Sequence, residues 1–218
     1  MKLFFHYCSY GFSNCYILGA GGNGAQEQNA GHSQAEPEAA IIVDPGSIEN
    51  VTLKTIENNN FEPKAVLITH DHLGHVRGLR TFKRIYDTEI FAVNQSILDH
   101  KATMVKDGDR LYIAGFYVDV ISIPGHSSDS VVYKIDHLLF TGDVLTAGLV
   151  GSTASAYGAA TQMNKLRARL LTLPGDYIVL PGHGPPSTLE AERRFNTDIF
   201  NYDKNRSKRQ EFKDSISF

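Results

Sequence analysis

Hydrophobic and polar positions alternate in two rhythms along this 218-residue chain, and the change of rhythm outlines a fold. Residues 14–19 (Asn-Cys-Tyr-Ile-Leu-Gly) and 40–44 (Ala-Ile-Ile-Val-Asp) read as short strands. Between them, residues 20–39 are rich in Gly, Ala, Gln, Asn and Glu and hold almost no large apolar side chain. Such a stretch cannot bury a face and predicts a mobile hairpin excursion, with His32 a solvated loop histidine. Pro45-Gly46 marks a turn, after which Ser47 is placed to N-cap a helix carrying Ile48, Val51 and Ile56. A strand over 65–69 follows. Val76, Leu79, Phe82 and Ile85 then recur every three residues, which predicts an amphipathic helix, and 90–93 is a short strand.

The rhythm then becomes β-rich. Residues 111–113, 116–123, 131–135 and 138–141 are apolar runs broken by Gly, Asp and Ser. A helix is predicted over 161–173, with Met163, Leu166 and Leu170 on one face, and a strand over 177–180. Ser187-Thr188-Leu189-Glu190 has the Ser-x-x-Glu capping-box pattern and opens a last helix. Residues 197–218 read as a C-terminal helix or tail, its basic stretch at 204–213 being a solvated face or frayed end. Strands with helices, then a strand block, then strands with helices again fit an α/β (α+β) arrangement of sheets packed together with helices outside. No break in composition marks a second domain, so one domain is expected over 1–218.

Composition narrows the function. A hydrophobic content of 42% and a charged content of 21% are ordinary for a soluble protein. The net charge of −3 gives no pull toward nucleic acid or anionic membrane. Cys8 and Cys15 form no CxxC and read as buried or free thiols of a reducing compartment. The N-terminus turns polar too soon for a signal peptide, and no apolar run approaches the ~20 residues that span a bilayer. A cytoplasmic protein acting on a small-molecule substrate is the expectation; nothing in the sequence sets an oligomeric state. The glycine-rich 19–24 stretch is followed by polar residues rather than a helix, against a nucleotide loop.

Candidate chemistry gathers in one loop, Thr69-His70-Asp71-His72-Leu73-Gly74-His75, just after the apolar run 65–68. Five of the chain's nine histidines are His70, His72, His75, His126 and His183, and the last two sit beside glycine, as does Asp143. Neutral imidazoles with a carboxylate are the ligands of zinc or of non-haem iron. In an extended segment His70 and His72 point the same way, so both can face one ion, while Asp71 points to the other side. Asp71 is therefore expected to hold the loop or a ligand imidazole rather than bind metal. His75 can approach from another angle, at the mouth of the next helix. Glycine neighbours let the backbone turn sharply at His126, Asp143 and His183. Ser127 and Ser128 lack a free base once His126 is claimed and read as a turn.

In these motifs the chain resembles the metallo-β-lactamase superfamily, and more closely its glyoxalase-II-like hydrolases. Residues 14–18 resemble the family's opening strand, Asp44-Pro45-Gly46 its Asp-Pro-Gly turn, and Pro124-Gly125-His126-Ser127 its GHT/GHS turn. Thr141-Gly142-Asp143 and Pro181-Gly182-His183-Gly184 match the bridging-aspartate and last-histidine motifs. The resemblance implies a four-layer αββα sandwich with the site at one edge of the two sheets. It implies a first metal on His70, His72 and His126, with Asp143 bridging and holding the metal-bound water, and a second metal on His75 and His183. Zinc, one ion or two, is the implied cofactor, with iron as the alternative, and the implied reaction is attack on a thioester or another small ester. The HxHxDH motif is matched at all but one position: its aspartate is Gly74 here, which predicts one tightly held metal and a weak second site. Two further readings stay open: a mononuclear iron enzyme similar to persulfide dioxygenases, and a non-catalytic metal-binding member of the fold. Residues 151–154 (Gly-Ser-Thr-Ala) lack the charged side chains that glyoxalase-II-like enzymes often carry there. The tail after residue 196 is expected to be too short to replace the helical region with which full-length glyoxalase II helps bind glutathione.

Overall fold

The computed structural model describes residues 1–21 and 36–202. Most of the 20–39 excursion and the basic 204–213 stretch lie outside the described residues. The strands in chain order are β1 (Lys2–Tyr7), β2 (Asn14–Gly19), β3 (Glu38–Val43), β4 (Phe61–Leu67), β5 (Glu89–Ala92), β6 (Ser96–Ile97), β7 (His100–Lys101) and β8 (Thr103–Met104). There follow β9 (Arg110–Ile113), β10 (Phe116–Ser122), β11 (Val131–Ile135), β12 (Leu138–Gly142), β13 (Leu145–Thr146), β14 (Leu149–Val150), β15 (Ile178–Pro181) and β16 (Ser187–Thr188). The helices are α1 (Asn50–Asn58), α2 (Leu73–Val76), α3 (Leu79–Ile85), α4 (Ala156–Lys165) and α5 (Leu189–Phe195).

Two six-stranded sheets result, ordered β1-β2-β3-β4-β5-β8 and β16-β15-β12-β11-β10-β9. Strands β3, β4, β5 and β8 run parallel to one another in the first sheet, β1, β2 and β3 pair antiparallel, and β12 runs parallel to β15 in the second. The alternation of side chains along each strand sorts the core into three clusters. Tyr16, Leu18, Ile41, Val43 and Leu67 of the first sheet meet Val118, Val120, Tyr133 and Phe140 of the second between the sheets. The intervening residues Ile17, Ile42 and Val66 face outward and pack on Ile56, Val76, Leu79 and Phe82 of the first helix layer. Val132, Leu139 and Val179 likewise pack outward on Met163, Leu166, Leu170 and Leu189. Three apolar seams between four layers make the αββα sandwich expected from the sequence.

The local departures have physical causes. Ser47 does not cap α1; its hydroxyl donates to Glu49 Oε1 and the helix starts at Asn50, leaving Val51 exposed. The predicted helix through Ile85 is two short helices, because Gly78 presses against the Pro45 carbonyl and its N–H donates to the Gly46 carbonyl. Helix α4 begins at Ala156, five residues before the predicted start, with Ser155 accepting from the Gly158 N–H. It runs into a π-helical turn over Leu166–Leu170, and Met163, Leu166 and Leu170 are buried as predicted. The last helix is capped by Thr188, which accepts from the Ala191 N–H, one residue after the expected Ser187.

Candidate metal centre

The site forms where strand ends of both sheets meet. Strand β4, buried over its last three residues, delivers Thr69 and His70, and β3 delivers Asp44 beside them. Asp44 accepts from the Thr69 N–H at 2.8 Å, from Thr69 Oγ1 at 2.6 Å and from His75 Nδ1 at 3.1 Å. The Val131 N–H donates to the Thr69 carbonyl at 2.9 Å and ties this end of the first sheet to the second. From the second sheet come His126 after β10, Asp143 after β12 and His183 after β15. Gly182 is required here: a Cβ on it would lie 2.5 Å from both Asp143 Oδ1 and His75 Cε1.

All six residues singled out in the sequence converge. His70 Nε2 lies 3.1 Å and His126 Nε2 3.0 Å from His72 Nδ1. Asp143 Oδ2 is 3.8 Å from His70 Nε2, 3.6 Å from His126 Nε2 and 3.5 Å from His75 Nε2. Asp143 Oδ1 lies 2.8 Å from His183 Nδ1. A tetrahedral ion with bonds of about 2.0–2.1 Å separates its ligands by roughly 3.3 Å, close to these spacings.

The outer hydrogen bonds fix which ring nitrogens carry lone pairs. Thr69 Oγ1 gives its proton to Asp44, so it accepts from His70 Nδ1 at 3.1 Å. His126 Nδ1 donates to the Ser152 carbonyl at 2.8 Å, and His75 Nδ1 to Asp44. Each of these rings therefore turns Nε2 inward. His75 Nε2 is buried and has no hydrogen-bond partner. Inward lone pairs that face one another, and an orphaned buried nitrogen beside a carboxylate, are a donor set that a divalent cation satisfies.

Electrostatics sort the same residues into two groups. Burial first, then the neighbouring His75, holds His70 down to about 3, so it is neutral near pH 7. Burial and His126 lower His72 as well. For His75 burial also pulls downward, but the neighbouring Asp143 and Asp44 carboxylates outweigh it and raise the ring to about 10. Burial pushes Asp143 up, yet His183 and His75 hold its carboxyl far below the usual carboxylate range. Asp143 in turn raises His183. A bound cation would take the place of the proton on His75 and His183.

Asp71 lies on the other side, as the alternation argument requires. Its N–H donates to Asp129 Oδ2 at 2.9 Å, and its carboxyl is raised by burial and by Asp129. It belongs to none of the ligand clusters among the described residues. Sequence reasoning gave no role to Asp44, although Asp44 contacts two of the site's loop residues. The signal for it was an aspartate at a strand end followed by Pro-Gly.

The comparisons agree with this geometry. The family model described as the metallo-beta-lactamase superfamily matches residues 34–183. An uncharacterised protein of Mycobacterium tuberculosis and one of Mycobacterium bovis are each 31% identical over 217 residues, covering 84% of this chain and 91% of theirs. Among solved structures, the BLEG-1 B3 metallo-beta-lactamase superposes with a TM-score of 0.73 at 21% identity, over 89% of this chain and 98% of that one. ETHE1 from Myxococcus xanthus gives 0.73 at 23% identity, over 90% and 83% of the two chains. TTHA1623 in a di-iron-bound form gives 0.68 at 25% identity, over 88% and 98%. With the family model covering more than half of its length, the chain belongs to the metallo-β-lactamase superfamily.

Proposed function

We propose that the protein is a metal-dependent hydrolase of small acyl esters, thioesters first among them, on the glyoxalase-II-like pattern. The observation that carries this is Asp143, whose Oδ2 faces the His70, His72 and His126 nitrogens while Oδ1 faces His183. One carboxylate thus serves two adjacent ligand clusters. His70, His72, His126 and Asp143 would hold a first ion, and His75, His183 and Asp143 would hold a weaker second. Bound there, a divalent cation would supply water activation near neutral pH and polarisation of a carbonyl. The residues do the rest. Asp143 stays ionised and orients the nucleophile, Ser152 and Thr69 fix the ring planes of His126 and His70, and Asp44 fixes His75. Zinc suits the three-imidazole cluster with a carboxylate.

The second-site ligand missing at Gly74 also fits a one-metal enzyme; Gly74 does not by itself single out an iron enzyme of the persulfide-dioxygenase kind, but the fold likeness to ETHE1 is consistent with that second reading. The same glycine fits a member that binds metal without turnover. One experiment separates the three. Metal content per chain is measured on the purified wild type and on Gly74→Asp, and both are assayed on a panel of thioesters, lactones and phosphodiesters. Zinc with ester turnover, about one tightly held ion in the wild type and two in the variant, is the expected result. Iron with oxygen uptake on a persulfide would replace the hydrolase reading, and metal without any turnover would remove catalysis from it.

A further inference from the structure

The space beside Gly74 is filled by the tip of the β1–β2 hairpin. A Cβ on Gly74 would have the Gly11 Cα at 3.6 Å and the Gly11 carbonyl oxygen at 3.8 Å as its nearest neighbours. The fit is reciprocal: a Cβ on Gly11, whose φ is +73°, would come 2.6 Å from the Gly74 Cα. Ser13 Oγ donates to the Gly74 carbonyl at 2.6 Å, and the Asn14 N–H to the Gly182 carbonyl at 2.7 Å, so the hairpin is tied to both metal-site loops. From this position the Gly11 carbonyl oxygen lies 3.0 Å from His183 Nε2. A carbonyl only accepts, so Nε2 carries a proton. Nδ1 is then the inward atom, beside Asp143 and facing the same cluster as the unpartnered His75 Nε2.

We propose that the hairpin tip compensates for the carboxylate missing at 74: the Gly11 carbonyl, admitted by Gly74, fixes His183 with Nδ1 turned to a second divalent cation shared with His75 Nε2 and Asp143. Gly11 is a positioning residue, acting through a ligand imidazole as outer hydrogen-bond partners of metal histidines do. This rests on the metal-site part of the reading above and not on its reaction. A protein that hydrolyses no ester can still show the predicted coordination.

The direct test is nitrogen-15 NMR of the imidazoles in protein loaded with two equivalents of zinc, with His183 assigned through His183→Gln. Protonated Nε2 and zinc-shifted Nδ1 at His183 are expected. Zinc on Nε2, or His183 unshifted by the second equivalent, would overturn the proposal. Calorimetric zinc titration of Gly11→Ala and Ser13→Ala supplies the second arm. Gly108→Ala is the control for backbone strain, since Gly108 has a φ of +85° and no atom within 4 Å of its Cβ position. The second binding step should weaken about 10–100-fold in Gly11→Ala, with the first within about twofold. Should Gly11→Ala fail to fold, Ser13→Ala, expected to lose roughly tenfold, carries the comparison. An unchanged second step in the variants that fold would sink the idea.

Discussion

Asp44 is 2% exposed and serves three donors, the Thr69 N–H, the Thr69 hydroxyl and His75 Nδ1. It binds no ion in the arrangement described, yet it sets the tautomer of one ligand directly and of His70 through Thr69. Asp44→Ala leaves these donors buried and unanswered. The variant should lose about 3–5 kcal/mol of stability, the range for breaking a buried ionic network. Its zinc affinity should fall about 10–100-fold, as for other outer-shell partners. Urea unfolding in excess chelator measures the first and calorimetric titration the second. Stability within about 0.5 kcal/mol of wild type, the range of surface substitutions, would show that the carboxylate does not hold the loop. The convergence of the six candidate ligand residues was legible because histidines at short spacing and glycine-flanked strand ends leave a local trace. The Asp-Pro-Gly turn marked Asp44, but its role, like the Ser152 and Gly11 carbonyls altogether, was not legible, because these contacts join segments 25 or more residues apart.

At the scale of elements the sequence located most strands and missed several ends. Hydrophobic spacing reports which face is buried, whereas a boundary depends on which nearby hydroxyl wins a backbone N–H. The last helix illustrates this. Thr188 accepts from the Ala191 N–H, which frees Ser187 Oγ to donate to Glu192 Oε1 at 2.7 Å. Glu192 is 2% exposed and also accepts from the Gly148 N–H at 3.1 Å and Asn196 Nδ2 at 2.7 Å. It thereby pins α5 to the β13–β14 turn, which leads on to Ser152 and His126. Glu192→Ala should cost about 2–4 kcal/mol, from several buried donors left without an acceptor. Because no ligand is touched, metal-binding stoichiometry should stay at the wild-type value in the folded variant. Unfolding curves with metal analysis check both parts. A variant as stable as wild type would mean that the turn is held by packing alone.

Across the whole molecule the candidate ligands divide evenly, with His70, His72 and His75 following the first sheet and His126, Asp143 and His183 following strands of the second. A cation between them is a staple across the sandwich. The seam is also held without it. Tyr16 Oη donates to the Pro181 carbonyl at 2.7 Å, Asn14 Nδ2 to the Pro181 and Gly184 carbonyls at 2.9 and 2.8 Å, and Tyr133 Oη to the Ile68 carbonyl at 3.1 Å. The large core between the sheets adds to these bonds. Chelation should therefore weaken the fold without abolishing it. Only the folded chain assembles all six ligands, so free cation at 100 times its Kd adds about 2.7 kcal/mol to stability. In a domain of this size each kcal/mol moves Tm by about 2–4 °C, so stripping the metal should lower Tm by roughly 5–11 °C. Far-UV circular dichroism below the transition should stay unchanged, since no strand depends on the ion. Scanning calorimetry at fixed zinc and in chelator measures the shift. Equal Tm values despite proven binding would mean that the unfolded chain, through the local His70-x-His72 pair, binds as well as the folded one. Collapse of the circular dichroism on chelation would mean that the ion, and not the Tyr16, Asn14 and Tyr133 bonds, holds the two sheets together.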